Sequence, residues 1–88
     1  MEYRVVILKK AQKNIDKLSL KAKMTFKRLL TDLRYNGPVQ AKYKNYSKIG
    51  NVTYHCHLDY HWVVCWRCED GDLYLEVYYV GSRENAPY

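Results

Sequence analysis

The stretch 52-VTYHCHLDYHWVVCWRCEDGDLYLEVYYV-80 decides how this chain folds. It holds three runs rich in β-branched and aromatic residues, at 52–58, 62–67 and 73–80, separated by short polar connections. Runs of that length and composition, bounded by turn residues, read as strands. The Asp70-Gly71 step between the last two is a hairpin signal, because the left-handed backbone of a tight turn costs this pair little. The three strands are therefore expected to be antiparallel neighbours. In the last run Leu73, Leu75, Val77 and Tyr79 alternate with Tyr74, Glu76, Tyr78 and Val80, which predicts one packed face and one partly wet face. By the same alternation Trp62, Val64 and Trp66 share a face and are assigned to the core.

Upstream of this stretch, residues 3–8 form another short apolar run, expected as a strand inside the sheet and stopped by Lys9-Lys10. A short helix is expected over 10–18, with Ala11, Ile15 and Leu18 on one face. Ser19 suits the N-cap of a second helix, where Ala22, Phe26, Leu29, Leu30 and Leu33 make an apolar stripe of helical period. That helix is expected to stop at Gly37-Pro38. Lys42, Lys44 and Lys48 then mark a basic connector leading to Gly50-Asn51. The order is β-α-α-β-β-β, and the class expected is α+β: a twisted, mostly antiparallel sheet with an N-terminal helical hairpin packed on it.

With 88 residues the chain is read as a single domain, 1–88, since domains hold on the order of 100 residues. A hydrophobic fraction of 48% with 27% charged residues excludes a disordered or collagen-like chain. No apolar run approaches the roughly 18 residues of a membrane span, and the first twenty residues, dotted with lysines, lack a signal-peptide core. The expected location is the cytoplasm, with no membrane partner.

The net charge of +6 is unevenly spread. Residues 1–50 hold thirteen Lys or Arg against three acids, whereas residues 51–88 hold two Arg against six acids. Basic residues confined to one half present a positive face to a polyanion, and nucleic acid is the expected target. The plainer alternative is that these lysines only solvate helix faces or meet an acidic protein.

All three histidines, His55, His57 and His61, fall within seven positions. Histidine exchanges protons near neutral pH, so the crowding points to proton transfer or metal binding. Three cysteines cannot close a disulfide framework. Cys65 and Cys68 have a zinc-like spacing, but three positions apart on a strand they point to opposite faces, and no second pair matches them. Neither metal nor other cofactor is expected. Breaking RNA by attack of the 2′-hydroxyl on its own phosphate needs a base, an acid and positive charge beside the phosphorane. His57 and His61, separated by a tight connection, can face one groove, and Arg83 offers a planar fork to phosphate oxygens. Arg83 and Tyr88 can equally serve to pin the C-terminal residues to the sheet. Trp62 and Trp66, despite their stacking surfaces, are read as core.

The block from His55 to Arg67, with Val80-Gly81-Ser82-Arg83 and Tyr88, resembles the RelE/ParE superfamily of bacterial toxins and is most similar to its YafQ-like branch. His57 matches the histidine of that branch's Cys-His pair. His61 stands before the tryptophan, where the branch usually has aspartate, and Arg83 stands where it often has histidine. Tyr88 stands near the family's C-terminal aromatic. The resemblance implies the toxin of a type II toxin-antitoxin system, a ribosome-dependent mRNA endoribonuclease (an mRNA interferase) that inhibits translation by metal-independent cleavage. It implies catalytic roles for His57, His61, Arg83 and Tyr88. From their charge and from strand alternation, Lys42, Lys44, Lys48 and His55 are expected to bind RNA. The partners that the resemblance implies are a cognate antitoxin, mRNA, and the ribosome with its RNA; operator DNA is met only through the antitoxin complex. Two alternatives stay open: a gyrase-poisoning toxin of the ParE kind, and a catalytically degenerate toxin that acts only by binding protein.

Overall fold

The computed structural model describes residues 2–88, which build one five-stranded sheet backed by helices. The chain runs through β1 (Arg4–Ile7), α1 (Lys9–Gln12), a 3-10 turn (Ile15–Lys17), α2 (Leu20–Asn36), β2 (Ser47–Lys48), β3 (Thr53–His57), β4 (Trp62–Arg67) and β5 (Tyr74–Ser82), ending in a 3-10 turn (Arg83–Asn85). The strand order is β1-β5-β4-β3-β2. Pairing is antiparallel from β2 through β5, while β1 lies parallel to β5. The α+β expectation holds, with corrections to individual elements.

The first strand is an edge strand, not an interior one, and Val5 and Ile7 are only half buried there. The expected helix over 10–18 breaks into a single α turn and a 3-10 turn. Asn14 lies between them and spends its side-chain amide on the sheet, donating to the Val80 carbonyl at 2.8 Å. Asparagine is a weak helix former, and here its side-chain amide bonds a backbone group of the sheet instead. The connector also contributes the short strand β2, where Ser47 pairs with His55 and Lys48 with Tyr54.

Helix α2 matches its sequence pattern closely. The Ser19 hydroxyl accepts from the Ala22 amide at 3.1 Å, so a side-chain oxygen satisfies a donor the helix cannot. Ala22, Phe26, Leu29 and Leu33 are buried against Tyr54, Cys56, Val64, Trp66, Leu75, Val77 and Val80 of the sheet. The helix stops at Gly37, whose φ of 86° is open to glycine and whose amide caps the Leu33 carbonyl at 3.0 Å.

The alternation read along β5 fails at one place. Cys65 pairs with Tyr79 but Trp66 pairs with Val77, so Tyr78 is an extra residue and β5 bulges. Leu75 and Val77 face the helices as expected; past the bulge the phase advances, and Val80 rather than Tyr79 lies in the same core. A bulge shifts every later side chain by one position. Leu73 precedes the strand and is exposed. The hairpin turn is as expected, with Gly71 at φ 82° and the Asp72 amide bonded to the Glu69 carbonyl at 3.1 Å. Trp62, Val64 and Trp66 share the core-facing side.

Candidate active site

The sheet face away from the helices carries His55 and His57. Two residues apart on β3, they project to the same side, opposite Cys65 and Val63 in register. Their rings meet edge to face with centroids 5.6 Å apart. The C-terminal residues fold back over this face, and the Tyr88 ring lies 4.4 Å from that of His55. His55 is 7% exposed, and its Nδ1 lies 3.1 Å from the Ser47 hydroxyl. Burial lowers the pKa of His55, with Ser47 acting in the opposite sense.

His57 ends β3, and its amide donates to the Lys44 carbonyl at 2.8 Å, which places that lysine beside it. Its Nδ1 lies 3.4 Å from the Asn45 amide nitrogen. Asn45 has φ 55°, a left-handed conformation that asparagine tolerates better than most residues. An asparagine amide can serve either imidazole tautomer by turning over. With its oxygen towards the ring, Nδ1 carries the proton and Nε2 keeps a free lone pair. The pKa of His57 is lowered, first by burial and then by the positive neighbours His55, Arg83 and Lys44, against the opposing pull of Asp59. The imidazole is thus held towards its neutral form, the form that accepts a proton.

His57 opens onto a cleft of about 430 Å³ lined by Thr25, Arg28, Lys42, Tyr43, Lys44 and Leu58. Arg28 and Tyr43 were not singled out in the sequence, where Arg28 reads only as part of the polar face of a helix. The Tyr43 hydroxyl donates to Asp32 at 2.5 Å, and Lys42 pairs with the same carboxylate at 3.1 Å. These bonds and Lys42 hold the Asp32 carboxyl below the usual range. They also tie the connector to α2. Arg28 lies over the Tyr43 ring at 5.5 Å.

The other expected residues are placed as follows. Arg83 is close enough to His57 to act on its charge, its amide donates to the His61 carbonyl at 3.0 Å, and its guanidinium lies over the Tyr60 ring at 4.7 Å. His61 sits in the β3–β4 turn, which Asp59 organises by accepting from the amides of His61 (2.8 Å) and Trp62 (2.9 Å). The His61 ring stands edge-on to Trp62, with Nδ1 3.9 Å from Glu84. The ring that His57 meets is that of His55, not that of His61. Lys48 pairs with Tyr54 and lies over its ring at 5.6 Å, on the helix side of the sheet and away from the histidines. The structure therefore gathers His55, His57, Arg83, Tyr88 and Lys44, places Lys42 in the lining of the cleft that holds His57, and leaves Lys48 outside.

Cys65 and Cys68 have separate surroundings, the first buried under the histidine face and the second with its thiol towards the carbonyls of Glu69 and Asp72. Among the described residues, no three His, Cys, Asp or Glu side chains are grouped to hold a metal ion, and no helix is long and apolar enough to cross a membrane.

No protein-family model and no curated protein matches the chain in sequence. Solved structures do match in fold. A chain of the archaeal RelE-RelB complex from Pyrococcus horikoshii OT3 aligns with a TM-score of 0.75 and 20% identity over 98% of this chain and 100% of that one. A chain of the E. coli DinJ-YafQ toxin-antitoxin complex aligns at 0.74 and 16% identity, covering 100% of both chains. The isolated E. coli RelE toxin aligns at 0.70 and 17% identity over 97% of this chain and 88% of that one. With its two helices packed on a five-stranded mixed sheet, the chain has the RelE-like toxin fold.

Proposed function

We propose that this protein is the toxin of a type II toxin-antitoxin system, an endoribonuclease that cuts mRNA on the ribosome and so inhibits translation. The observation that carries this reading is the setting of His57: an imidazole held towards neutrality beside Arg83, Lys44 and His55, at the mouth of a cleft walled by Arg28 and Lys42. A cationic cleft attracts the phosphate backbone. In the proposed reaction His57 takes the proton of the 2′-hydroxyl, and the oxygen so freed attacks the adjacent phosphorus. Arg83 neutralises charge on the phosphorane. The 5′-oxygen then leaves with a proton from His61, whose exposed side chain turns from Glu84 towards the RNA. Tyr88 orients the phosphate while covering His55. This route requires no metal, and it leaves a 2′,3′-cyclic phosphate and a 5′-hydroxyl.

Lys44 and Lys42 hold the RNA backbone or ribosomal RNA, Lys48 makes its contact from the opposite side of the sheet, and His55 supports His57. The partner that restrains the protein is an acidic or amphipathic antitoxin covering the basic cleft, as the solved complexes of RelE with RelB and of YafQ with DinJ suggest. Operator DNA is reached only through that complex. The cytoplasm is the proposed location. A gyrase poison or a toxin acting only by protein binding needs none of the groups around His57.

The test is induction in growing cells followed by mapping of mRNA ends, with naked and translated mRNA compared in a reconstituted system. Growth arrest is expected, with cuts on translated mRNA whose 5′-hydroxyl ends accept label without prior phosphatase treatment. Intact mRNA during growth arrest removes the nuclease reading.

A further inference from the structure

The β3–β4 turn exposes a residue whose position neither turn chemistry nor packing explains. Tyr60 is 73% exposed, at a place where glycine, asparagine or serine would satisfy the backbone and where a large apolar ring gains nothing from burial. The turn beneath it is held by the two hydrogen bonds to Asp59. One face of the ring is covered by the Arg83 guanidinium at 4.7 Å. Tyr60 also lines a second cleft of about 470 Å³ with Lys21, Asp59 and His61, and Lys44 lines both this cleft and the one holding His57. An aromatic ring on a hydrogen-bonded turn thus stands one residue from His61, in contact with the arginine that acts on His57, beside two clefts that share Lys44.

We propose that Tyr60 is a stacking platform for the nucleobase next to the bond that is cut, and so a specificity-determining residue. The inference rests on the nuclease reading above. Every base offers a π face to an aromatic ring, and such stacking is strong enough to hold a single-stranded nucleotide in place. Arg83 bridges the two functions: its flat face rests on the ring while its N–H groups reach phosphate oxygens. Because a purine presents the larger face, the platform favours a purine over a pyrimidine at the position it holds.

The experiment measures cleavage of mRNA on translating ribosomes at varied protein concentration, with a purine or a pyrimidine at each position flanking the cut. It compares the full chain with Tyr60→Leu, Tyr60→Asn and Tyr60→Phe. Replacing Tyr60 by Leu or Asn is expected to raise the half-saturating concentration about tenfold and to bring the purine-over-pyrimidine ratio at one flanking position close to one. The maximal rate of the Leu and Asn variants should fall by less than about tenfold, because Arg83 loses the ring it rests on but keeps its charge beside the phosphate. Tyr60→Phe, which keeps the ring, should restore both the concentration dependence and the ratio. Thermal denaturation should show all three variants folded, since the side chain is exposed. Leu and Asn variants with the native half-saturation and base ratio overturn the platform, as does a native protein indifferent to the flanking base; both leave the nuclease reading standing. A native protein that cuts no mRNA removes that reading and the platform with it.

Discussion

Tyr88 closes over His55, ring centroids 4.4 Å apart and planes tilted by 50°, so the C-terminal residues form the lid of the histidine face. Burial under that lid keeps the His55 imidazole from its ordinary proton affinity. Replacing Tyr88 with Ala should let water reach the ring and raise the pKa of His55 towards 6.5. Following the imidazole protons by NMR during a pH titration checks this, and an unchanged His55 titration would show that Tyr88 is not what covers it.

Stability should depend on pH through the two histidines of β3. Both have folded pKa values below 6.5, so over the window between the folded and unfolded values the unfolded chain binds more protons. Stability therefore rises with pH through that window, is fully present above about 6.5, and is lost as pH falls through the folded values. Urea midpoints at pH 7.5 and pH 5 should differ in that direction, and the double variant His55→Gln, His57→Gln should flatten the difference.

Removing the proton acceptor should disable cleavage while sparing the fold. His57→Ala is expected to lower the rate by about 10² to 10⁴, and Arg83→Ala by a comparable factor because the charge on the phosphorane is left unneutralised. Asn45→Gly keeps the left-handed backbone but frees the imidazole to rotate, and should cost on the order of 10- to 100-fold through misorientation. Single-turnover cleavage, with circular dichroism to confirm folding, separates these effects from instability. His61→Ala tests the assignment of the acid: a native rate would give that role to another group.

The wall of the cleft hangs on Asp32, which receives both the Tyr43 hydroxyl and the Lys42 ammonium. Burial and this bond push the Tyr43 hydroxyl up to about 12. Asp32→Asn keeps a hydrogen-bond acceptor and loses the charge. A destabilisation of about 1–2 kcal/mol is expected in chemical denaturation, together with a fall of the Tyr43 pKa seen by ultraviolet titration.

Gly37 leaves no room for a side chain, because a Cβ there would meet the Tyr3 ring at 2.8 Å on a backbone with φ of 86°. Gly37→Ala should cost about 1–3 kcal/mol from strain and displacement of that ring. In a domain of this size each kilocalorie lowers the Tm by about 4–8 °C, which differential scanning calorimetry can measure.

Much of the architecture was legible because its signals are local. The apolar stripe of α2, the Ser19 cap, the Asp70-Gly71 turn and the shared face of Trp62, Val64 and Trp66 each depend on residues within a few positions of one another. Features set by distant partners were not legible. Asn14 breaks the first helix to reach Val80, and the bulge at Tyr78 depends on how β5 lies against β4. Placing β1 at the edge requires knowing the whole strand order. At the site, the sequence pointed to His57, Arg83 and Tyr88, which the fold gathers, but the pairing of His57 with His55 rather than His61 follows from turn geometry. Asn45, Arg28 and Tyr43 gave no signal, since each is an ordinary surface residue until the connector is folded against α2. Lys48 was grouped with its neighbouring lysines by charge, yet strand alternation sends it to the other side.

The parallel pairing of β1 with β5 joins Arg4–Ile7 to residues 74–77, almost the full length of the chain apart. No nascent fragment lacking the final strand can satisfy the first, whose backbone groups must wait in water while everything between them is synthesised. Closure across so long a span makes folding slow and late compared with that of a helical bundle. The histidine face, whose lid comes from residues beyond β5, is accordingly among the last parts of the molecule to take shape.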